Sequence, residues 1–282
     1  MLPSKRIFSD SAISGNLNNS IEFNIYYYGA FEKPLLFFLR DALQNLQDAD
    51  ANAGSQRQLF CDVGSNIGQH SLFMSNYASH VHAFEPYGLV SAKMNHHIQL
   101  NGIENISFHA VGLSDKAEAL TFFAPTGRNQ GIGSFDASTV SKGNNATGKL
   151  MLLQGDEYFQ EHKIDAIALM KIDVEGFEKS ALTGLRRTLL EQRPVLVCEI
   201  SYGGELAFTS LEEFLAVLPP DYKLFAFNTR NSDGSKAKRR GSKAKRSGEY
   251  ELIEFSNWRH TGQDDIIACP AEKAALLPPR NL

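Results

Sequence analysis

Five short β-prone runs, at 59–63, 81–84, 106–110, 167–172 and 195–200, alternate for the most part with segments whose apolar residues recur at helical spacing. Parallel neighbours cannot be joined by a tight turn, so this alternation demands crossover helices and a mostly parallel sheet covered on both faces. Helices are expected at 69–77, at 89–100 with a stop at Asn101-Gly102, and at 177–192 with a stop before Pro194. Upstream, Leu35, Phe38, Leu39, Ala42, Leu43 and Leu46 mark a helix with one buried face, and Pro34 sits in its first turn. The polar residues 48–58, with Gly54 and Ser55, are expected to link it to the sheet. Downstream, Ser210 and Glu213 form a capping box for a helix carrying Leu211, Phe214, Leu215 and Leu218, closed by Pro219-Pro220. Runs at 222–227, 250–255 and 266–269 are expected to finish the sheet antiparallel. The expectation is one α/β domain at 59–282 with residues 1–58 as an N-terminal helical extension.

The 282 residues are 43% hydrophobic and 21% charged, enough for a large core, which excludes fibrous and disordered classes. No apolar stretch in the first third approaches the ~20 residues of a membrane helix. No apolar run follows Lys5 and Arg6 as a secretory signal requires. Cys61, Cys198 and Cys269 are too few and scattered for a disulfide framework or zinc site and fall in expected core strands, so a cytoplasmic location is expected. His96 and His97 lack zinc spacing and are expected to be structural.

One segment is foreign in composition. Residues 234–247 read GSKAKRR-GSKAKRS, and removing their seven cations from the net −4 leaves the rest of the chain at −11. With no large apolar residue to bury, residues 234–248 are expected to form a mobile basic loop inserted between two strands. Seven cations could contact phosphates, yet no aromatic residue is interleaved for base stacking, so nucleic acid is not the expected partner.

The chemistry centres on LFCDVGSNIGQHS at 59–71: a strand, Asp62, a loop with Gly64 and Gly68, then a helix that His70 opens. A helix amino terminus offers unpaired N–H groups, and Glu85 after the next strand can accept both hydroxyls of a ribose, so the pair points to a nucleotide-type pocket. Ser65 and Asn66 follow Gly64, so G-x-G-x-x-G is not matched and a dinucleotide is disfavoured, although a nicotinamide-dependent oxidoreductase stays open as an alternative.

Asp62-Val63-Gly64-Ser65-Asn66-Ile67-Gly68, Phe84-Glu85-Pro86, Gly112-Leu113-Ser114-Asp115 and the run KIDVEGFE at 171–178 resemble the FkbM family of S-adenosylmethionine-dependent methyltransferases. The resemblance implies a class I, Rossmann-like sheet of seven strands with one reversed. It implies that Asp62 and the loop Gly64, Ser65, Asn66, Gly68 hold the methionine part of S-adenosylmethionine and that Glu85 holds its ribose, with His70, Pro86, Val111 and Asp173 in the same cofactor set. Ser65 stands where the family pattern has alanine. Asp173 and Glu175 follow the fourth long run and Glu199 ends the fifth; these are the candidate catalytic groups, because a methyl acceptor must be aligned and lose a proton. They could also ligate a divalent cation. Asp173 can instead orient the cofactor and pair with Lys171 on the same strand face, and Glu175 can cap the next helix. The expected acceptor is a hydroxyl of a sugar or small metabolite; nucleic-acid ribose, reached through the basic segment, is the remaining alternative.

Overall fold

The computed structural model describes residues 5–6, 11–52, 59–125, 133–230 and 235–278. In chain order it contains β1 (Lys5–Arg6), β2 (Ala12–Ile13), α1 (Ser20–Tyr28), α2 (Lys33–Asn52), β3 (Leu59–Val63), α3 (Gln69–Met74), β4 (His80–Phe84), α4 (Gly88–Asn101) and β5 (Ile106–His109). There follow β6 (Gly112–Ser114), β7 (Glu118–Pro125), β8 (Asn144–Gln154), α5 (Gly155–Glu161), β9 (Ile167–Ile172), α6 (Glu178–Gly184), α7 (Arg186–Gln192) and β10 (Val195–Tyr202). The chain closes with α8 (Leu211–Val217), β11 (Tyr222–Phe227), α9 (Lys238–Ser247), β12 (Leu252–Glu254) and β13 (Gly262–Pro270).

The main sheet has the order β12-β11-β13-β10-β9-β3-β4-β5. Strands β10, β9, β3, β4 and β5 pair in parallel. Strand β13 is antiparallel to both β10 and β11, so seven strands with one reversed are present, and β12 adds an eighth at the edge. The last three runs do finish the sheet through antiparallel pairings; with β13 the reversed strand of the seven, β11 points the same way as β10, because α8 carries the chain back across the sheet. Alternate residues feed two apolar layers. Phe60, Val81 and Leu169 face Leu39, Leu43 and Leu72 of α2 and α3, while Cys61, Val63 and Met170 face Leu182, Leu189 and Phe214 of α6–α8. All three cysteines are buried and free.

Four local expectations need correction. The helix over Leu35–Leu46 does not end at 48 but runs to Asn52, because nothing before Gly54 breaks it; residues 53–58 lie outside the described residues. The single helix expected at 177–192 is two, broken where Gly184 meets the end of β6, so close that a Cβ there would lie 1.9 Å from the Ser114 carbonyl oxygen. A second sheet, β6-β8-β7, was not expected between the third and fourth long strands; β6 is only three residues long, and neither β7 nor β8 alternates regularly between buried and exposed positions, which weakens a periodic signal.

The fourth correction concerns the basic repeat: its described part is the helix α9, not a loop. A seven-residue repeat matches two helical turns, so Ala237, Gly241, Ala244 and Gly248 fall on one face. That face is the one turned inward, with Ala237 and Gly248 buried and Gly241 and Ala244 half-buried. The apolar bulk comes from α2, where Phe37 lies against Gly248 and Lys33 donates from Nζ to the Arg246 carbonyl at 2.9 Å. Burial was expected to require large side chains in the segment itself, whereas small ones admit those of a neighbour.

Candidate active site

The carboxyl ends of β3, β4, β9 and β10 meet around the loop 64–68. Gly64 has φ +83° and lies where a Cβ would come within 1.8 Å of the Asp173 carbonyl oxygen, so the loop backbone presses against the end of β9. The N–H groups of Gly64 and Ser65 both donate to the Phe84 carbonyl at 2.9 Å. Glu85 is thereby brought beside the loop: its Oε2 accepts from Asn66 N–H at 3.1 Å and its Oε1 from Tyr87 N–H at 2.9 Å. Burial pushes the Glu85 carboxyl up to about 7 against the lowering effect of those two donors. Asp62 is fully buried; its Oδ2 accepts from Ser71 Oγ at 2.6 Å, while Oδ1 has no hydrogen-bond partner among the described residues.

Two cavities share this rim. The first is lined by Gly64, Asn66, Glu85, Pro86, Val111 and Asp173, all expected as cofactor groups. Its far wall is aromatic and escaped the sequence reasoning. Tyr87 and Phe122 have ring centres 4.8 Å apart, Phe122 and Phe135 5.3 Å, and Phe135 and Phe177 5.1 Å. The paired Phe122-Phe123 was its one visible signal.

The remaining expected cofactor residues lie elsewhere. Asp62 sits beneath the loop, Gly68 packs on Met94, and Ser65 turns its hydroxyl to Met94 Sδ at 3.1 Å. His70 lines the second cavity, with Glu32, Lys171, Glu199 and Gln263, and with Asp173 and Glu175 common to both. His70 is 7% exposed; its Nε2 has no hydrogen-bond partner among the described residues, and Glu32 Oε2 lies 3.7 Å away. Burial, then the Lys171 charge, depress the imidazole pKa well below its ordinary value.

Glu32 also escaped the sequence reasoning, because only folding brings it here. Phe31 and Gln69 exchange hydrogen bonds at 2.6 and 2.8 Å, which staples the start of α2 to the helix after the loop and holds Glu32 over His70.

Lys171, nearly fully buried, donates to Asp173 Oδ2 at 3.0 Å, as the shared strand face predicts. Burial opposes the Lys171 charge, but Asp173, Asp62 and Glu32 outweigh it and raise the pKa. Glu175 has a left-handed backbone, φ +52°, and burial, then Asp173 and Glu178, push its carboxyl to about 8. Glu199 is raised well above its ordinary range by burial and by Asp173 and Asp265. Carboxylate oxygens of Asp173, Glu175 and Glu199 lie within 4.8 Å of one another, so the three expected catalytic groups are brought together. Glu175 does not take the capping role open to it, for α6 starts at Phe177 without a side-chain cap; Glu178, its first residue, reaches back to accept from the N–H groups of Val174 at 3.2 Å and Gly176 at 2.9 Å. His97 is structural, with Nδ1 2.8 Å from the Ile67 carbonyl and Nε2 3.0 Å from that of Ser14.

A family model described as the Methyltransferase FkbM domain matches residues 62–224. Methyltransferase 1 of Beauveria bassiana (strain ARSEF 2860) is 28% identical over 192 residues, 58% of this chain and 77% of that protein. Methyltransferase FkbM from Methylobacillus flagellatus KT aligns with a TM-score of 0.41 at 19% identity, covering 64% of this chain and 42% of its own, so this chain spans under half of that one. A Streptococcus mutans protein solved in complex with SAH aligns at 0.39 and 13% identity, over 75% of this chain and 88% of its own.

Proposed function

We propose, from the premise that this chain belongs to the FkbM methyltransferase family, that it moves the methyl group of S-adenosylmethionine to a hydroxyl of a sugar or other small hydroxylated molecule. The observation that carries this reading is the meeting of two cavities at Gly64, Asn66, Asp173 and Glu175, one bordered by Glu85 and the other by acidic side chains. A group-transfer enzyme needs such a shared rim, with donor on one side and acceptor on the other.

The first cavity fits the cofactor. Glu85 stands at the end of β4 with a lone pair to spare on each oxygen for ribose hydroxyls, Gly64 lets the loop backbone approach closely, and the aromatic wall suits an adenine face. When bound, S-adenosylmethionine supplies an electrophilic methyl on a positive sulfonium. The chain's own task is then to orient the acceptor oxygen and take its proton. Asp173, fixed by Lys171, faces the rim as an orienting group. Glu175 and Glu199 border the acceptor side and are the proton acceptors once ionised. The same three carboxylates could hold a divalent cation, although Lys171 already occupies one Asp173 oxygen; a chelator in the assay decides between these roles. Among the described residues no helix is long and apolar enough to cross a membrane, and the buried free thiols suit a reducing cytoplasm.

Calorimetry tests the cofactor half: S-adenosylmethionine is expected to bind and NAD is not. Tight NAD binding without S-adenosylmethionine binding would falsify the reading and revive the oxidoreductase alternative.

A further inference from the structure

The basic helix α9 takes no part in the proposed methyl transfer, and the density of its charge singles it out. Elsewhere in the molecule cations are dispersed: Arg193 pairs with Asp221 and Glu272, Arg230 and Arg259 with Asp264, Lys93 with Glu22 and Lys179 with Glu213, while Lys149, Lys163 and Lys223 are single exposed charges without an ion pair among the described residues. On α9, Lys243 pairs with Glu249 at 2.7 Å, while Lys238 and Lys245, and Lys236 just before the helix, are exposed without an ion pair among the described residues. Seven of the chain's 28 lysines and arginines fall between 236 and 246. Concentrating like charges on one helix costs repulsion that a structural role does not require, since only the small-residue face touches α2.

Position adds to composition. Lys33 follows the cavity residue Glu32 directly, and its ammonium caps the carbonyl of Arg246 in the last turn of α9. The carboxyl end of the cationic helix is thereby tied to the wall of the second cavity. That cavity carries the opposite character, with Glu32, Asp173, Glu175 and Glu199 against Lys171. A ligand complementary to both is divided: a neutral, hydroxyl-bearing end for the acidic cavity and an anionic part for the helix. The rest of the chain, at −11, repels an anion, so α9 also sets the ligand's direction.

We propose that α9 is an anion-binding surface that holds the phosphate-bearing part of the acceptor while its hydroxyl end enters the second cavity. The acceptor clause rests on the methyl-transfer reading above; the anion surface does not. The helix spans ~15 Å, long enough to face several phosphates in a row. It has no aromatic residue with which to stack bases and no large apolar residue to enter a bilayer, so the recognised chemistry is phosphate charge itself, from a soluble ester or from a lipid headgroup.

The test compares the full chain with the triple variant Lys238→Gln, Lys243→Gln, Lys245→Gln, in which glutamine keeps helix propensity. The probes are inorganic polyphosphate, followed by calorimetry, and phosphatidylcholine vesicles with or without phosphatidylserine, followed by cosedimentation. S-adenosylmethionine affinity and far-ultraviolet circular dichroism are read on the same samples. At low salt the wild-type chain is expected to bind polyphosphate, with affinity falling as salt rises, and the variant to bind roughly tenfold or more weakly with unchanged cofactor affinity and helix content. Binding only to phosphatidylserine vesicles identifies a lipid headgroup as the phosphate source. Binding to neither probe, or equal binding by the variant, overturns the proposal. Failure of wild-type chain to bind S-adenosylmethionine overturns the methyl-transfer reading and leaves the anion surface to be judged by its own arm.

Discussion

Glu85 accepts from two backbone N–H groups and still borders the first cavity, so ribose hydroxyls would add donors to a carboxylate already held in place. Removing it in Glu85→Ala is expected to weaken S-adenosylmethionine binding by about 1.5–3 kcal/mol, the range for hydrogen bonds to a charged group, as calorimetry reads directly. Hydroxyl donors favour the ionised form, and burial holds this carboxyl near 7 in the free protein. Affinity is therefore expected to rise with pH up to about 7 and level off above it, and the Glu85→Ala variant to lose that rise. Gly64 is constrained differently: a methyl group there would meet the Asp173 carbonyl oxygen at 1.8 Å, on a backbone at φ +83°. Gly64→Ala is expected to cost a few kcal/mol of stability, since strain and overpacking each cost about 1–3 kcal/mol, and to abolish cofactor binding. A variant with unchanged melting temperature and affinity would show that the loop can move off β9. At this scale Gly64, Glu85, Asp173, Glu175 and Glu199, all singled out in the sequence, come together around the two cavities, whereas Asp62 lies beneath the loop. Glu32 was invisible and the aromatic wall signalled only by Phe122-Phe123, because their neighbours in space lie tens of residues away along the chain.

Secondary-structure elements respond to partners as much as to their own composition. Helix α9 holds no large apolar residue, yet Gly248 at its end has φ +81° and a position where a Cβ would lie 2.3 Å from Phe37. Gly248→Ala is expected to destabilise the protein by about 1–2 kcal/mol, from the left-handed backbone alone. Thermal melts would detect this, whereas an unchanged melting temperature would mean that α9 detaches from α2 without cost. The long strands and α4, ended at Gly102 in a left-handed cap, were legible from period and stop signals. The break between α6 and α7 was not, since it arises where Gly184 meets Ser114 of the second sheet.

Over the whole molecule, the acidic centre makes stability depend on pH. Glu85, Glu178 and Asp265 are pushed to about 7 and Glu175 to about 8, in each case first by burial. A carboxyl whose folded pKa exceeds its unfolded value contributes stability that is complete below the unfolded value and is lost as pH rises through the folded one. The ligand-free protein is therefore expected to melt at a lower temperature at about pH 8.5 than at about pH 6, with the loss falling between roughly 4 and 8. On the proposed reading S-adenosylmethionine would bring a positive sulfonium to the shared rim, so it is expected to raise the melting temperature more at the higher pH. A melting temperature that climbs from pH 6 to pH 8.5 without ligand would contradict this account.

What the sequence determined by itself was the α/β class, the parallel strands, the glycine loop with its acidic partner, and the family. These follow from periodicity and short motifs, whose physics is local: a strand alternates, a helix repeats, and a glycine permits one turn. Only the tertiary structure decided that the segment before α2 carries Glu32 over His70 and that a lysine-rich repeat becomes a docked helix. Each of those outcomes depends on a contact supplied by a distant segment: the Gln69 clamp on Phe31 and the Phe37 ring that covers Gly248. Composition shows what a segment can bury of itself, and the folded chain determines what buries it.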